Sequence, residues 1–280
     1  MTYVDRPDKK EKRIHYEKRI GKMDEHYFFT PKDFHELRKI STHKKLIKAF
    51  TRIAMRLNDL TPDDLPPGNL DRVCFLLIND YEKDKFNELG VGPLNDGYLF
   101  GINQYRMDFN VFYLYNPTSV EYSTFLDFFM KKTQKCLTVY FSGRNSDGNQ
   151  GILFSKDTLA KDTINDIIAS GCNGKAHYIF IDDCLTGGTI FDIPSIIKQN
   201  KPIKNLISIS IDKSSTPGYK QGKRTHGLLT FYLCKSVTDK PDINPNELIE
   251  KMNLEFRRFK LKFECSITDQ ELANMPVFYC

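Results

Sequence analysis

Residues 136–189 read CLTVYFSGRNSDGNQGILFSKDTLAKDTINDIIASGCNGKAHYIFIDDCLTGGT. Two runs in this stretch, CLTVYFSG (136–143) and AHYIFID (176–182), are short, apolar and rich in β-branched and aromatic residues, which predicts strands. Each runs into a polar loop that carries glycine: SGRNSDGNQG (142–151) and DDCLTGGT (182–189). Between them a helix is predicted over 158–170. Continuous apolar strands separated by a helix indicate a parallel sheet covered on both faces. In such sheets chemistry gathers at the carboxyl ends of the strands. Cys184 stands at one of those ends, beside two acids and a Gly-rich turn. The plain reading of such a residue is a packed core thiol. The functional reading is a nucleophile, since a helix N-terminus lowers a thiol pKa and glycines let a substrate backbone approach.

Working outward, the same rhythm continues. VCFLLIN (73–79), NVFYLYN (110–116) and LISISI (206–211) are further strands. Helices are predicted at 96–106, 119–132, 189–199, 225–237 and 245–258, and a short strand at 261–265. Upstream, Leu46, Ile47, Phe50, Ile53, Ala54 and Leu57 recur at three- and four-residue steps, which predicts an amphipathic helix over 42–58. TPDDLPPGN (61–69) reads as a linker. Residues 1–33 are polar and basic without a clear period, and read as an extended arm. The division is a basic N-terminal segment, 1–69, followed by an α/β domain, 70–280.

The charge follows the same division. Residues 1–60 hold 16 Lys/Arg against 9 Asp/Glu, a net of +7, while the whole chain is +5, leaving −2 for the rest. No stretch approaches the roughly 18 unbroken apolar residues of a membrane helix. The first residues, MTYVDRPDKKEKR, lack the apolar core of a secretory signal. Seven cysteines lie at 74, 136, 172, 184, 234, 265 and 280 with no CxxC pair, which speaks against a zinc site or a disulfide framework and for a reducing, cytoplasmic setting.

The loop residues carry a resemblance. YFSGR, NSDGNQGILFSKDTL and YIFIDDCLTGGTIFDIP, in that order, resemble the catalytic centre of metacaspases, where a strand runs into Ser-Gly-His and a second strand into Asp-x-Cys-His-Ser-Gly. Ser142-Gly143 is kept, and Arg144 occupies the histidine position. Asp182-Asp183-Cys184 keeps the Asp-x-Cys element, and Leu185-Thr186-Gly187 stands where the family has His-Ser-Gly. FLLINDYEKDKFNELGVGPLND (75–96) is similar to the family's first strand and its asparagine–aspartate loop, and NPTSVEYSTFLDFF (116–129) to its Pro-Thr helix. LISISIDKSS (206–215), HGLLTFYL (226–233) and the tail ELANMPVF (271–278) are similar to its small-subunit part. The resemblance spans about residues 70–280 and implies a caspase-like α/β/α sandwich with a mostly parallel central sheet, here extended by the basic N-terminal segment.

It also implies a site and its defect. Cys184 takes the nucleophile position, and Asp182 and Asp212 those of the acids that hold a substrate Lys or Arg. The plain reading of Asp182 is a cap on the amides that follow it. Calcium dependence is common in the family, but no acid cluster can be carried over as a metal site and no cofactor is expected. A cysteine peptidase needs a group that accepts the thiol proton and returns one to the leaving amine. Histidine does both near neutrality; arginine, with a pKa above about 12, does neither. Its charge would still favour the thiolate of Cys184. His177, seven residues earlier on the same strand as Cys184, lies roughly 23 Å away at about 3.3 Å per residue. His15, His26, His35 and His43 belong to the N-terminal segment, and His226 opens a helix.

The expectation is therefore an inactive metacaspase homologue serving as a structural or protein-binding module. The alternative is an active endopeptidase cleaving after Lys or Arg. A remote alternative is a phosphoribosyltransferase, since IDDCLTGGT also resembles a phosphoribosyl-pyrophosphate loop, but it is one residue short for a cradle whose N–H groups must converge on one anion. The basic, Tyr-bearing segment 1–60 suits an acidic protein surface or filament, such as tubulin, which would make the chain cytoskeleton-associated. Charge alone would also permit nucleic acid, but the body is slightly acidic and carries no nucleic-acid motif.

Overall fold

The computed structural model describes residues 43–278 except 67, 69, 83–86, 147, 149, 173, 185–189, 192–195, 197–202 and 212–226. The basic arm, the three residues after Cys184, and Asp212 thus lie outside the described residues, as does most of the helix expected at 189–199.

The described chain runs α1 (His43–Phe50), β1 (Ala54–Arg56), β2 (Arg72–Ile78), α2 (Gly92–Arg106), β3 (Asn110–Tyr115), α3 (Ser119–Lys132), β4 (Cys136–Gly143), β5 (Gly151–Leu153), β6 (Thr158–Ala160), α4 (Lys161–Gly171), β7 (His177–Cys184), β8 (Leu206–Ile211), α5 (Leu228–Asp239), α6 (Pro245–Phe256) and β9 (Phe263–Ile267). Seven strands form one sheet in the order β1-β3-β2-β4-β7-β8-β9. Every pairing is parallel except the last, where β9 runs antiparallel to β8. β5 and β6 make a separate antiparallel hairpin.

Period-two alternation splits each central strand between two cores. From β7, Ile179 and Ile181 join Leu46, Phe50, Phe100, Leu229 and Leu248, so this face is covered by α1, α2, α5 and α6. Tyr178 and Phe180 join Tyr122, Phe129, Ile164 and Ile168, so the other is covered by α3 and α4. This is an α/β/α sandwich with a mostly parallel central sheet. Local signals agree with the packing: Thr118 and Glu121 form a capping box that starts α3, with Glu121 N–H donating to Thr118 Oγ1 at 3.2 Å and Thr118 N–H to Glu121 Oε2 at 2.8 Å.

Three elements differ from expectation. The helix predicted over 42–58 ends at Phe50, and residues 54–56 form an edge strand with Ala54 opposite Val111. Pairing with β3 overrides a stripe that is periodic in sequence. Leu46 and Phe50 are fully buried, so α1, which lies ahead of residue 70, packs into the sandwich. The helix predicted from 158 begins at Lys161, because 158–160 pair with 151–153. Strands of three residues are too short to announce themselves by alternation. No helix among the described residues is long and apolar enough to cross a membrane.

Candidate active site at the strand ends

β4 and β7 are neighbours, and their register brings Gly143 opposite Cys184 at their carboxyl ends. Gly143 is sterically required: a Cβ there would lie 2.9 Å from the Phe141 ring and 3.0 Å from Cβ of Asn79. The next residue is Arg144. Its successor, Asn145, donates its backbone N–H to Cys184 Sγ at 3.0 Å. Cys184 is partly exposed and packs on the α3/α4 side of the sheet. Arg144 and Cys184 therefore occupy adjacent strand ends, with the sulfur directly contacted by the residue after Arg144.

Arg144 is held from β2's end. Its N–H donates to Tyr81 Oη at 3.0 Å, and its Nε to the Asn87 carbonyl at 3.3 Å. The Tyr81 hydroxyl in turn donates to the Leu153 carbonyl at 2.8 Å, tying the β5–β6 hairpin to the same point. Tyr81 is fully buried and adopts a left-handed backbone, φ 58°, which costs a residue with a Cβ on the order of 1–2 kcal/mol. Asn116 offsets that cost, its Oδ1 accepting the N–H groups of both Asp80 (2.9 Å) and Tyr81 (3.1 Å). Burial pushes the Tyr81 phenol well above its ordinary range, and the nearby Cys184 sulfur adds to the effect. Tyr81 is a neutral donor, not a base.

Below it, Asp80 is a fully buried carboxylate. It accepts from Tyr115 Oη at 2.5 Å, Asn116 Nδ2 at 2.7 Å and Glu82 N–H at 3.0 Å, and its Oδ2 lies 2.8 Å from His43 Nε2. His43 thus belongs to the strand-end rim rather than to a remote segment. It arrives on α1, on the face opposite Cys184, and β4 lies between β2 and β7. At about 4.8 Å per strand, that lateral offset alone is roughly 10 Å, beyond hydrogen-bond reach of the thiol. His177 pairs with Cys136 at the other end of β7. Among the described residues no imidazole reaches Cys184.

The acids divide by strand parity. Asp182 shares Cys184's face, is 2% exposed, and accepts the Ile190 N–H on Oδ2 at 2.7 Å; one of its oxygens thus binds the chain that follows the cysteine. Asp183 faces the other way, toward α2 and α5. It accepts from Tyr140 Oη at 3.1 Å and Thr230 Oγ1 at 2.5 Å. Nearby, both oxygens of Asp96 accept the Gly227 N–H, at 2.7 and 2.8 Å. A Cβ on Gly227 would lie 2.7 Å from an Asp183 oxygen and 3.0 Å from one of Asp96, so only glycine lets the two carboxyls converge on this backbone. Burial, and then the charge of Asp96, raise the Asp183 carboxyl to about 7. Among the described residues no group of three or more His, Cys, Asp or Glu side chains is placed to hold a metal ion.

Beside Arg144 opens a cleft of about 980 Å³, lined by Asn87, Arg144 and Asn145 and by Leu153, Thr158 and Ala160 of the hairpin. The crystal structure of caspase-1 from Spodoptera frugiperda matches this chain with a TM-score of 0.50, over 71% of this chain and 88% of that one, at 15% identity. The sandwich has the caspase fold. A structure of pro-sf-caspase-1 gives a TM-score of 0.48 over 68% and 81% of the two chains, at 16% identity. No protein-family model matches the sequence, and no curated protein does. At these identities the likeness is one of caspase fold alone.

Sequence reasoning picked out Cys184, Arg144 and Asp182 but missed Tyr81, Asp80 and His43, which position the caspase-fold strand ends. The run Asn79-Asp80-Tyr81, polar residues directly after a buried strand, was the available signal. Apart from the Glu82 N–H, the partners named above are 35 or more positions away in sequence, so spacing does not reveal them.

Proposed function

We propose that this caspase-fold chain is a metacaspase-type homologue that does not hydrolyse peptides and works as a structural or protein-binding module. The observation that carries the reading is Arg144 at the strand end beside Cys184, where peptide hydrolysis would need an imidazole. A guanidinium stays protonated at any working pH, so it neither takes the thiol proton nor gives one to a leaving amine. Tyr81 cannot replace it, since burial holds its hydroxyl neutral and its proton goes to the Leu153 carbonyl. The Asn145 N–H orients the Cys184 sulfur at the strand end, where no imidazole among the described residues is placed to drive turnover.

The partner proposed for the module is an acidic protein surface or filament, such as tubulin, bound through the basic residues 1–60, whose net charge of +7 contrasts with −2 for the remainder. A second reading, an active endopeptidase cleaving after Lys or Arg, draws support from the partly exposed thiol and its N–H contact. Fluorogenic peptides ending in Lys, Arg or Asp, offered with and without calcium, separate the two. The expected result is no turnover under any condition. Turnover that vanishes in a Cys184→Ala variant establishes the second reading and removes the first.

A further inference from the structure

The net charge of +7 in residues 1–60 is not spread evenly. Residues 1–33 hold 9 Lys/Arg against 7 Asp/Glu, a net of +2, while residues 43–57 hold five Lys/Arg and no acid. One of the five, Arg56, is engaged within the fold: its Nε donates to Asn58 Oδ1 at 2.9 Å, and its guanidinium lies over the Tyr115 ring. The other four are Lys44, Lys45 and Lys48 on α1 and Arg52 in the turn after it, all exposed. At 3.6 residues per turn the three lysines share an arc of about 100°, opposite the buried Leu46 and Phe50. Among the described residues none of these four side chains forms an ion pair, whereas Lys131, Lys240 and Lys251 on other helices and loops each meet a carboxylate within 3.1 Å. Helix stability does not account for this arrangement. Lys44 and Lys48 stand one turn apart, where like charges repel. Lys44 and Lys45 lie in the first turn, at the positive end of the helix dipole, and no acid stands there to offset them. A local rule broken twice without local compensation points to a role outside the helix.

We infer that the outer face of α1 is the docking surface for an acidic protein partner, whose carboxylates are received by Lys44, Lys45, Lys48 and Arg52. The inference rests on the proposed binding module and narrows its contact from residues 1–60 to this one face of the sandwich. Leu46 and Phe50, sunk in the core, hold the helix in place, so the row of lysines binds without the cost of ordering its backbone. A protein suits this face better than an anionic membrane does. Among the described residues the exposed large apolar side chains, Val120, Leu254 and Met275, lie on other elements, so α1 has nothing to insert into a bilayer. It also suits the face better than nucleic acid does. A polyphosphate chain would run on from this short row over a body of net −2, and among the described residues it would meet no exposed aromatic ring to stack on.

The test uses the full chain and three probes: fluorescein-labelled poly-L-glutamate, a double-stranded DNA of equal charge, and vesicles of phosphatidylcholine and phosphatidylserine in equal parts. Three triple variants each remove the same charge: Lys44→Gln/Lys45→Gln/Lys48→Gln on α1, Lys9→Gln/Lys10→Gln/Lys12→Gln in the arm, and Lys131→Gln/Lys240→Gln/Lys251→Gln elsewhere. Poly-L-glutamate should bind the parent, and more tightly than the DNA or the vesicles do. The α1 variant should lose about tenfold or more in affinity, as expected when three ion pairs at an exposed face are removed together. The other two variants should lose less than about threefold. The melting temperature of the α1 variant should not fall below the parent's, because its lysines oppose the helix they stand on. Equal losses in the α1 variant and the variant elsewhere overturn the inference, since net charge alone then governs binding. An arm variant that loses as much as the α1 variant overturns it too, and leaves the contact through residues 1–60 standing. Tighter binding of the DNA or the vesicles replaces the acidic protein with that partner. A parent chain that fails to bind poly-L-glutamate removes the acidic-partner reading, and this inference with it.

Discussion

Asp183 and Cys184 are consecutive residues that face opposite cores, and the buried one of the two makes part of the stability depend on pH. The Asp183 carboxyl is raised to about 7 by burial and by Asp96, from an ordinary value near 4. A raised carboxyl binds its proton more tightly in the folded chain than in the unfolded one. Its contribution therefore favours folding at low pH and is lost as pH rises from about 4 to about 7. Asp183→Asn, which keeps the shape and removes the charge, should flatten that part of the profile. The gain relative to the parent at pH 8 should be on the order of a few kcal/mol, read from urea melts across pH. Equal slopes in parent and variant would show that Asp183 ionises freely. Local sequence signals single out Asp182 and Cys184 and not Asp183. Alternation puts Asp182 beside the cysteine, but the acid facing Asp183 comes from α2, 87 residues upstream, and nothing in local spacing brings them together.

At the level of elements, α1 and β1 carry more of the sandwich than their position in the chain suggests. Phe50 stacks on Tyr113 with ring centroids 4.6 Å apart and meets the edge of Tyr98 at 5.4 Å. Phe50→Ala should cost about 3–5 kcal/mol, as for other large core truncations, and lower the melting temperature accordingly. A loss under 1 kcal/mol would mean that α1 is an appendage. The central strands and most helices were legible because their apolar runs are long and their caps are local; Thr118 with Glu121 is one such case. The β5–β6 hairpin and β1 were not, since strands of three residues have no period to read and owe their form to partners. The strand-end positions of Cys184 and Arg144 are legible because one closes its strand and the other directly follows its own in sequence.

On the scale of the molecule, charge is segregated: +7 in residues 1–60 and −2 in the remainder. Attraction of exposed charges is screened over about 8–10 Å at physiological ionic strength, so co-sedimentation with an acidic filament should fall steeply as salt is added. Removing residues 1–33, which carry +2 of that +7 (9 Lys/Arg against 7 Asp/Glu), should weaken the binding in part, and neutralising the Lys/Arg of residues 34–60, which carry the other +5, should weaken it further. A truncated chain that sediments as well as the full one would locate the contact on the body instead.

The edge position of β1 bears on how such a tethered molecule would carry load. Tension entering from residues ahead of His43 reaches the sheet through α1, the His43–Asp80 contact, and a strand of three residues aligned parallel to β3. Pulled along the strand axis, the β1–β3 ladder would be sheared and not unzipped, so its few bonds would resist together. Once they part, α1 leaves with them, while β2, β4 and β7, which hold the cysteine and its surroundings, stay paired in the interior of the sheet. Under force the protein should therefore yield first at its N-terminal edge, in a small step that precedes rupture of the centre.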